Sequence, residues 1–290
     1  MGEPTVSIGL PVFNGERFLA RAVDSVLAQT YEDWELLISD NGSADATVAI
    51  AEEYANRDPR IRLRVNERNL GAVANFEAVF QETTGRYFMW LAYDDWFDPS
   101  YLARCVQVLE DRRDYVMAFA GMNVVDDTGQ PDRHRTEPMD GAASRNVVAR
   151  FHAVLWRLGD PTSPVFGVAR RSVLEQTGRI RNSNEPDRIL IGELSLLGRI
   201  HQDPDLLFFH YNPPGHTTRD NWAWLDPRNR GTRRFATFRI ISHQWKAIWR
   251  GNHRTVEKLL MATDLFTASL ILRTRGKARA IKKQLMSNKG

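Results

Sequence analysis

Apolar residues fall in short, near-continuous runs along the first hundred positions, and helical stripes separate them. Val6 to Val12 (VSIGLPV), Trp34 to Ser39 (WELLIS), Ile61 to Val65 and Tyr87 to Tyr93 read as buried strands. Between the first two, Glu16 to Gln29 places Phe18, Leu19, Ala22, Val23, Val26 and Leu27 on one helical face. Asp45 to Asn56 and Ala72 to Thr83 predict two further helices. Strand and helix in alternation imply a parallel, doubly wound sheet. Beyond it the rhythm loosens. Strands are expected at 115–125, 165–169 and 206–211, and helices at 146–158, 171–176 and 187–197, the last ending at Gly198. Residues 130–145 are polar and proline-containing and read as a mobile stretch, and 212–232 as a loop. Residues 233–275 predict one or two amphipathic helices, broken near Gly251-Asn252, and no internal repeat is visible.

The fourth apolar run organises the rest. It reads YFMWLAYDDWFDP and ends in two adjacent carboxylates, Asp94 and Asp95. Asp98 and Pro99 supply an N-cap and a first helical residue for a helix over Ser100 to Arg112. Asp94 and Asp95 are therefore not needed as caps. They stand at the carboxyl end of a central strand, where open α/β sheets bind ligands, although a solvated turn would use the same pair. Asp40 ends the second strand in the same way, and Asn41-Gly42-Ser43 turns the chain. A strand-end carboxylate can accept hydrogen bonds from a base or ribose; equally, Asp40 and Ser43 can simply shape a turn.

Composition and charge narrow the classes. At 290 residues, with 42% hydrophobic and 26% charged residues, the chain is of ordinary globular composition. No apolar run reaches membrane-spanning length, and no secretory signal is visible at the N-terminus, MGEPTVSIGL. Cys105 is the single cysteine, which excludes an internal disulfide and fits a reducing cytoplasm. From Arg228 to Gly290 there are 16 Lys and Arg against two acids, Glu257 and Asp264. Of the chain's 39 basic and 36 acidic residues, the body keeps 23 and 34, so an acidic body carries a basic tail. There is no G-x-G-x-x-G after the first strand and no G-x-x-x-x-G-K-[ST]. A dinucleotide enzyme and a P-loop NTPase are thus disfavoured, leaving a nucleotide site with few backbone phosphate contacts, where a hard divalent cation would neutralise a diphosphate.

The combination of PVFNGERFLARAVDSVLAQTYEDWELLISDNGSADAT, NLGAVANF and the Asp94-Asp95 strand end resembles the family 2 glycosyltransferases of the GT-A fold. The resemblance covers about residues 5–110. It implies a Rossmann-like α/β fold, with a mostly parallel twisted sheet flanked by helices. A catalytic domain over 1–226 would divide into a nucleotide-binding half (1–112) and an acceptor-binding half (113–226), with a helical basic tail over 227–290. The implied activity is transfer of a sugar, with inversion, from a UDP-, dTDP- or GDP-sugar to an acceptor hydroxyl, aided by Mn²⁺ or Mg²⁺. Cell-surface glycan, glycolipid and secondary-metabolite synthesis are the corresponding settings.

Residue by residue, the resemblance places Pro11, Val12 and Asn14 at the nucleobase pocket and makes Asp40 the base-binding acid. Gly42, Ser43, Asn69 and Gly71, on neighbouring loops, are further candidates for nucleotide contact. Asp94 falls near the ribose and Asp95 on the metal. Ala92 departs from the family's first acid, and Trp96 follows the pair. Asp187, in NEPDRILIGELSLLGRI, stands at the catalytic-base position relative to Gly198, with Pro186 in place of the usual preceding Glu. An ordinary acid at a helix N-terminus is the alternative for Asp187, and Glu185 and Glu193 are the other base candidates. His216 and Arg219 fall in a loop expected to close over the diphosphate, next to His210. Trp96, Trp222 and Trp224 suit stacking on sugars, core packing or membrane anchoring alike.

Two other readings stay open. A nucleotidyltransferase would need a glycine-rich basic loop after the first strand, and PVFNGERF has one glycine. A catalytically degenerate member, binding a nucleotide-sugar or acting as a scaffold, would explain Ala92 and Pro186. The tail interleaves Arg233, Arg234, Arg239, Lys246, Arg250 and Arg254 with Phe, Ile and Trp. This pattern serves a peripheral contact with the inner membrane face, where lipid-linked acceptors would lie, or else a homo-oligomer interface. No nucleic-acid motif is present.

Overall fold

The sheet grows outward from β1 (Val6–Val12), whose seven residues are all buried. The computed structural model describes residues 4–126, 129, 131–135, 139–157, 164–181, 183, 186–211 and 236–270. β1 pairs in parallel with β2 (Trp34–Asp40) and β4 (Tyr87–Trp90), and β2 with β3 (Ile61–Val65). β1 contains Gly9 and Pro11, both poor strand formers. Each fully buried large aliphatic residue is worth roughly 1.5–3 kcal/mol, against a strand-propensity range of about 1 kcal/mol, so packing decides the strand. Pro11 also lies two positions past the last β1–β4 pair, Gly9↔Trp90, where its missing N–H costs least.

The sheet continues through β5 (Trp96–Phe97), β6 (Tyr115–Val125), β8 (Val168–Arg170) and β9 (Arg199–Tyr211) in the order β3-β2-β1-β4-β8-β6-β9-β5. The doubly wound expectation holds for the first four strands and for β6 with β9. β8 runs antiparallel to both β4 and β6, and β5 antiparallel to β9, so the sheet is mixed. β7 (Pro131–Arg135) pairs with β6 inside the stretch expected to be mobile. β9 begins seven positions before the expected Leu206. Its polar opening is held because Arg104 clamps Asp203 at 2.7 Å and Asp205 at 2.6 Å.

Helices cover both faces. Val6, Ile8, Leu10 and Val12 pack with α1 (Leu19–Leu27), α2 (Thr47–Arg57) and α4 (Tyr101–Asp111), whose inner side includes Cys105. On the other face Leu37, Phe88 and Trp90 meet α3 (Ala72–Gln81) and α7 (Pro186–Leu197). The cap of α4 is shifted from the expected one. Ser100 holds the N-cap position, Pro99 precedes it, and Asp98 Oδ1 accepts from the Ser100 amide (2.9 Å) and hydroxyl (2.6 Å). α5 (Val147–Arg157) and the short α6 (Arg171–Leu174) complete the body. α8 (Ala236–Arg250) and a final helix over 255–270 are separated near Gly251, as the sequence implies. Their inner faces place Ile248, Met261 and Leu265 against Phe151, Leu155 and Leu196. Gln244 Nε2 also donates to the Arg188 carbonyl at 3.1 Å.

Under the loops that follow β2 and β3 lies a buried polar network. Asn75 Oδ1 accepts from the Ser39 hydroxyl (2.6 Å) and Asn66 Nδ2 (3.2 Å), while Asn75 Nδ2 donates to the Ser39 carbonyl (2.8 Å). Asn41 Oδ1 accepts from the Leu70 amide at 2.9 Å and from Asn66 at 3.3 Å. Ser39, Asn41, Asn66 and Asn75 all lie in a low-dielectric interior, so each missing partner costs desolvation as well as the bond. Asn75→Leu, which removes three buried hydrogen bonds, is expected to lower stability by about 2–4 kcal/mol with an unchanged m-value in urea. A loss below ~0.5 kcal/mol would mean the network is solvated and carries no such weight.

Candidate active site

The carboxyl ends of β1 and β2 are joined by reciprocal hydrogen bonds between their loops. Asn14 adopts the left-handed region (φ 51°), its amide donates to Ser43 Oγ (2.8 Å), and its Oδ1 accepts from the Ala44 amide (3.0 Å). The Gly15 amide donates to Thr47 Oγ1 at 2.8 Å, and Glu16 Oε2 accepts from the Ala46 amide at 2.9 Å. Gly42 has φ 77°, and a Cβ there would fall 2.9 Å from the Arg68 carbonyl carbon. The close approach that requires glycine is thus to the β3–α3 loop of the protein itself. Asn69 Oδ1 accepts from Asn41 Nδ2 (3.0 Å) and from the Gly71 amide (2.8 Å). Asn14, Gly42, Ser43, Asn69 and Gly71 therefore share one rim, and their hydrogen bonds shape it. Pro11 and Val12 are buried in the sheet, with Val12 paired to Asp40.

Asp40 is fully buried below this rim. Its Oδ2 accepts from the Gly42 and Ser43 amides, both at 3.0 Å. Its Oδ1 is buried and has no hydrogen-bond partner. A buried acceptor in that condition is costly unless something else satisfies it.

Asp95 repeats the arrangement beyond β4, which ends at Trp90 and not at the expected Tyr93, so the acid pair sits in the turn that leads into β5. Tyr93, Asp94 and Asp95 follow a turn in which the Asp95 amide donates to the Ala92 carbonyl at 3.2 Å. Asp95 is fully buried; its Oδ1 accepts from the Tyr211 amide (3.0 Å) and contacts His210 Nδ1 (2.9 Å). Its Oδ2 is buried without a partner. Burial alone would depress the His210 pKa, but the Asp95 charge and hydrogen bond, with Asp94 beyond, outweigh it and raise the imidazole to about 9. Burial first, and then the charges of Asp94 and Asp95, push the Tyr93 hydroxyl up to about 12. The Tyr93 ring lies against Gly15, where a Cβ would come within 2.8 Å of it, so this turn is seated on the first loop.

Sequence reasoning missed Arg21. From α1 its guanidinium lies 3.5 Å from the Trp96 ring centroid and 5.5 Å from that of Phe18. Burial lowers its pKa while Asp94 and Asp95 oppose the shift, so a fixed cation stands beside the acid pair. Trp96 also stacks on Phe209, with ring centroids 5.4 Å apart and 2° between planes. Its ring is a contact within the protein, and its sugar-stacking surface is already occupied. No spacing signal marks Arg21, because it is one of several polar positions on an amphipathic helix.

The donor set suits a metal held jointly with a ligand rather than a protein cage. Among the described residues no three His, Cys, Asp or Glu side chains form a metal cluster. Asp95 Oδ2 offers one unclaimed hard oxygen, and Mg²⁺-type ions are commonly held by one or two carboxylates together with substrate phosphates.

Asp187 lies in the first turn of α7, half-buried, where the helix dipole favours an acid. Glu193, two turns on, is held by the loop that precedes α7. Its oxygens accept from Arg181 Nη2 at 2.7 and 3.0 Å and from the Gly178 amide at 2.8 Å. Glu185, His216, Arg219, Trp222 and Trp224 lie outside the described residues.

The backbone resembles solved glycosyltransferases. TarS 1-349 of S. aureus, in complex with UDP-GlcNAc, gives a TM-score of 0.66 at 15% identity, covering 91% of this chain and 72% of that one. The mannosyltransferase PcManGT from Pyrobaculum calidifontis, in complex with GDP-Man and Mn²⁺, gives 0.56 at 14% identity over 97% and 81%. The class that the architecture defines is the GT-A fold, a mixed α/β sheet flanked by helices. Residues 7–178 match Glycosyl transferase family 2, and the chain belongs to that family. EpsE of Bacillus subtilis (strain 168) is 36% identical over 127 residues, 43% of this chain and 46% of that protein. The uncharacterized glycosyltransferase RP339 of Rickettsia prowazekii (strain Madrid E) is 32% identical over 125 residues, 42% of this chain and 38% of that protein. The matched stretch thus spans less than half of each relative.

Glu193→Gln removes the charge that holds Arg181, and it is expected to cost about 1–3 kcal/mol of stability, read from a urea titration. Donor-sugar turnover of the folded variant should stay within about threefold of the parent, since both Glu193 oxygens are spent on the 178–181 loop. Unchanged stability with lost turnover would return Glu193 to the chemistry.

Proposed function

We propose that the chain is an inverting glycosyltransferase that moves a sugar from a nucleoside-diphosphate sugar to an acceptor hydroxyl. One observation carries the reading: two fully buried carboxylates, Asp40 at the end of β2 and Asp95 in the turn before β5, each hold one oxygen in hydrogen bonds from the protein and leave the other without a partner. Asp40 Oδ1 suits the ring N–H of a uracil, thymine or guanine base. Asp95 Oδ2, with Asp94 beside it, suits a divalent cation carried on the diphosphate, Mn²⁺ or Mg²⁺. That cation, when bound, offsets the charge developing on the leaving diphosphate. TarS with UDP-GlcNAc and PcManGT with GDP-Man and Mn²⁺ support the donor class.

In this reading Asp187 accepts the proton of the acceptor hydroxyl. The acceptor oxygen forms its bond to the anomeric carbon from the face opposite the diphosphate, and the bond to the phosphate oxygen breaks with its electron pair leaving on the nucleoside diphosphate. One displacement inverts the centre. His216 and Arg219 complete the diphosphate side, the 1–226 and 227–290 division separates catalysis from the tail, and the acceptor is a hydroxyl on a glycan or lipid-linked sugar. The degenerate-member reading keeps its support in Ala92 and Pro186, and it predicts binding without turnover.

Calorimetry of nucleoside diphosphates with and without Mn²⁺ tests the donor site. Asp40→Asn keeps the amide-accepting oxygen but turns Oδ1 into a donor, so it is expected to weaken nucleoside diphosphate binding about 10–100-fold with or without metal. Asp95→Asn should remove only the metal-dependent part. Normal binding by both variants would overturn the site.

The base has its own test. Asp187→Asn is expected to lower transfer by two orders of magnitude or more, within the ~10²–10⁴ range of general-base catalysis, with unchanged nucleoside diphosphate affinity. Weakened affinity with normal turnover would place Asp187 on the donor side and leave Glu185 as the candidate.

A further inference from the structure

The helix pair at the end of the chain has two apolar faces, and only one of them is used by the core. Twelve large hydrophobic residues are exposed among the described residues, and eight of them lie between 236 and 270. On α8 these are Phe238, Trp245 and Trp249, 61%, 46% and 40% exposed. The spacings i, i+7 and i+11 bring them onto one line of the helix, and the Trp245 and Trp249 rings lie 5.8 Å apart. Ile248 and Gln244, on the neighbouring strip, are buried against the body. Lys246 and Arg250 are exposed on the opposite flank of the ridge. On the final helix, Val256, Leu259, Phe266 and Leu270 face outward, while Met261, Leu265 and Ala268 face the core. Lys258 joins the two helices, donating to the Trp249 carbonyl at 3.3 Å and lying 5.9 Å from the Trp249 ring centroid.

We propose that this outer face docks on a membrane surface containing anionic lipid. A ridge of Trp and Phe with Lys and Arg along its flank is the arrangement that lies in the headgroup layer, with aromatic bodies at the acyl boundary and cations at the phosphates. No helix among the described residues is long and apolar enough to cross a bilayer, so the contact lies on the surface. Charge supports the choice of lipid. Across 236–270 there are two acids, and both are engaged: Asp264 by His152 Nδ1 (3.0 Å) and Trp156 Nε1 (2.8 Å), and Glu257 by the Arg254 amide (2.9 Å). The sequence from 271 to 290 adds seven Lys and Arg and no acid. A second copy of the chain is the weaker occupant. A two-fold contact pairs the patch with itself, which would set Lys246, Arg250 and Arg254 against their own counterparts. A nucleic acid would match the charge but leave Val256, Leu259 and Leu270 without an apolar partner.

The test is flotation of the full chain with vesicles of phosphatidylcholine, with and without phosphatidylglycerol, across a salt series. Size exclusion with light scattering runs alongside. The chain is expected to float with phosphatidylglycerol vesicles at low salt and to leave them at high salt. Lys246→Glu with Arg250→Glu is expected to reduce binding at least about 25-fold, near fivefold for each charge lost. Trp245→Ser with Phe266→Ser is expected to reduce it at least about tenfold, with an unchanged melting temperature because both side chains are exposed. Three results would overturn the proposal. The first is absence of vesicle binding by the parent chain at low salt. The second is binding undiminished by the Trp245 and Phe266 substitutions, which leaves only the charge of the tail. The third is a dimer that the same two substitutions dissociate, which makes a second copy the occupant. None of these outcomes depends on the donor site.

Discussion

The carboxylate of Asp95 ties the two halves of the molecule together. It is fully buried and stands at the end of the first, regular part of the sheet. A charge in that position is tolerated only where hydrogen bonds hold it. Those bonds come from the last residues of β9, through the Tyr211 amide and His210. β9 reaches the site because it runs the length of β6, and β5 pairs with it just beyond the acid pair. The irregular second half of the sheet therefore positions a group that the regular first half delivers.

The two ends of the site are built differently. Around β1, β2 and β3 almost every loop polar group is spent on another loop, which fixes the rim before any ligand arrives. At the acid turn charged groups stand close together, and two of them keep a buried atom without a partner: Asp95 Oδ2 and Nη2 of the Arg21 guanidinium over Trp96. A rigid rim beside concentrated, pre-oriented charge is the arrangement in which electrostatics act without reorganisation cost.

Much of this was legible along the chain, for identifiable reasons. β1 through β4 and their helices show because buried parallel strands are short apolar blocks and their helices carry one apolar stripe. The loop residues Asn14, Asp40, Gly42 and Ser43 stand out as turn chemistry, though the sequence does not show that they bind each other. The opening of β9 was missed because Arg199 to Asp205 reads as polar; its stability comes from Arg104, a residue on α4. The strand expected at 165–169 forms only over Val168–Arg170, as β8, because Pro164–Phe166 takes a 3-10 turn. Glu193 looked like an acid on a helix face, and only Arg181, brought in from the preceding loop, reveals it as a strut.

Cys105 illustrates how packing sets chemical behaviour. It is 2% exposed on the inner side of α4, and burial raises its thiol far above the ordinary range. Alkylating reagents attack the thiolate, so in the folded protein this position is silent. Because it is the single cysteine of the sequence, the native chain already serves as its own cysteine-free background. A cysteine introduced at any exposed position would carry a fluorophore or spin label alone, and distances between chosen points could be followed in solution without altering the core.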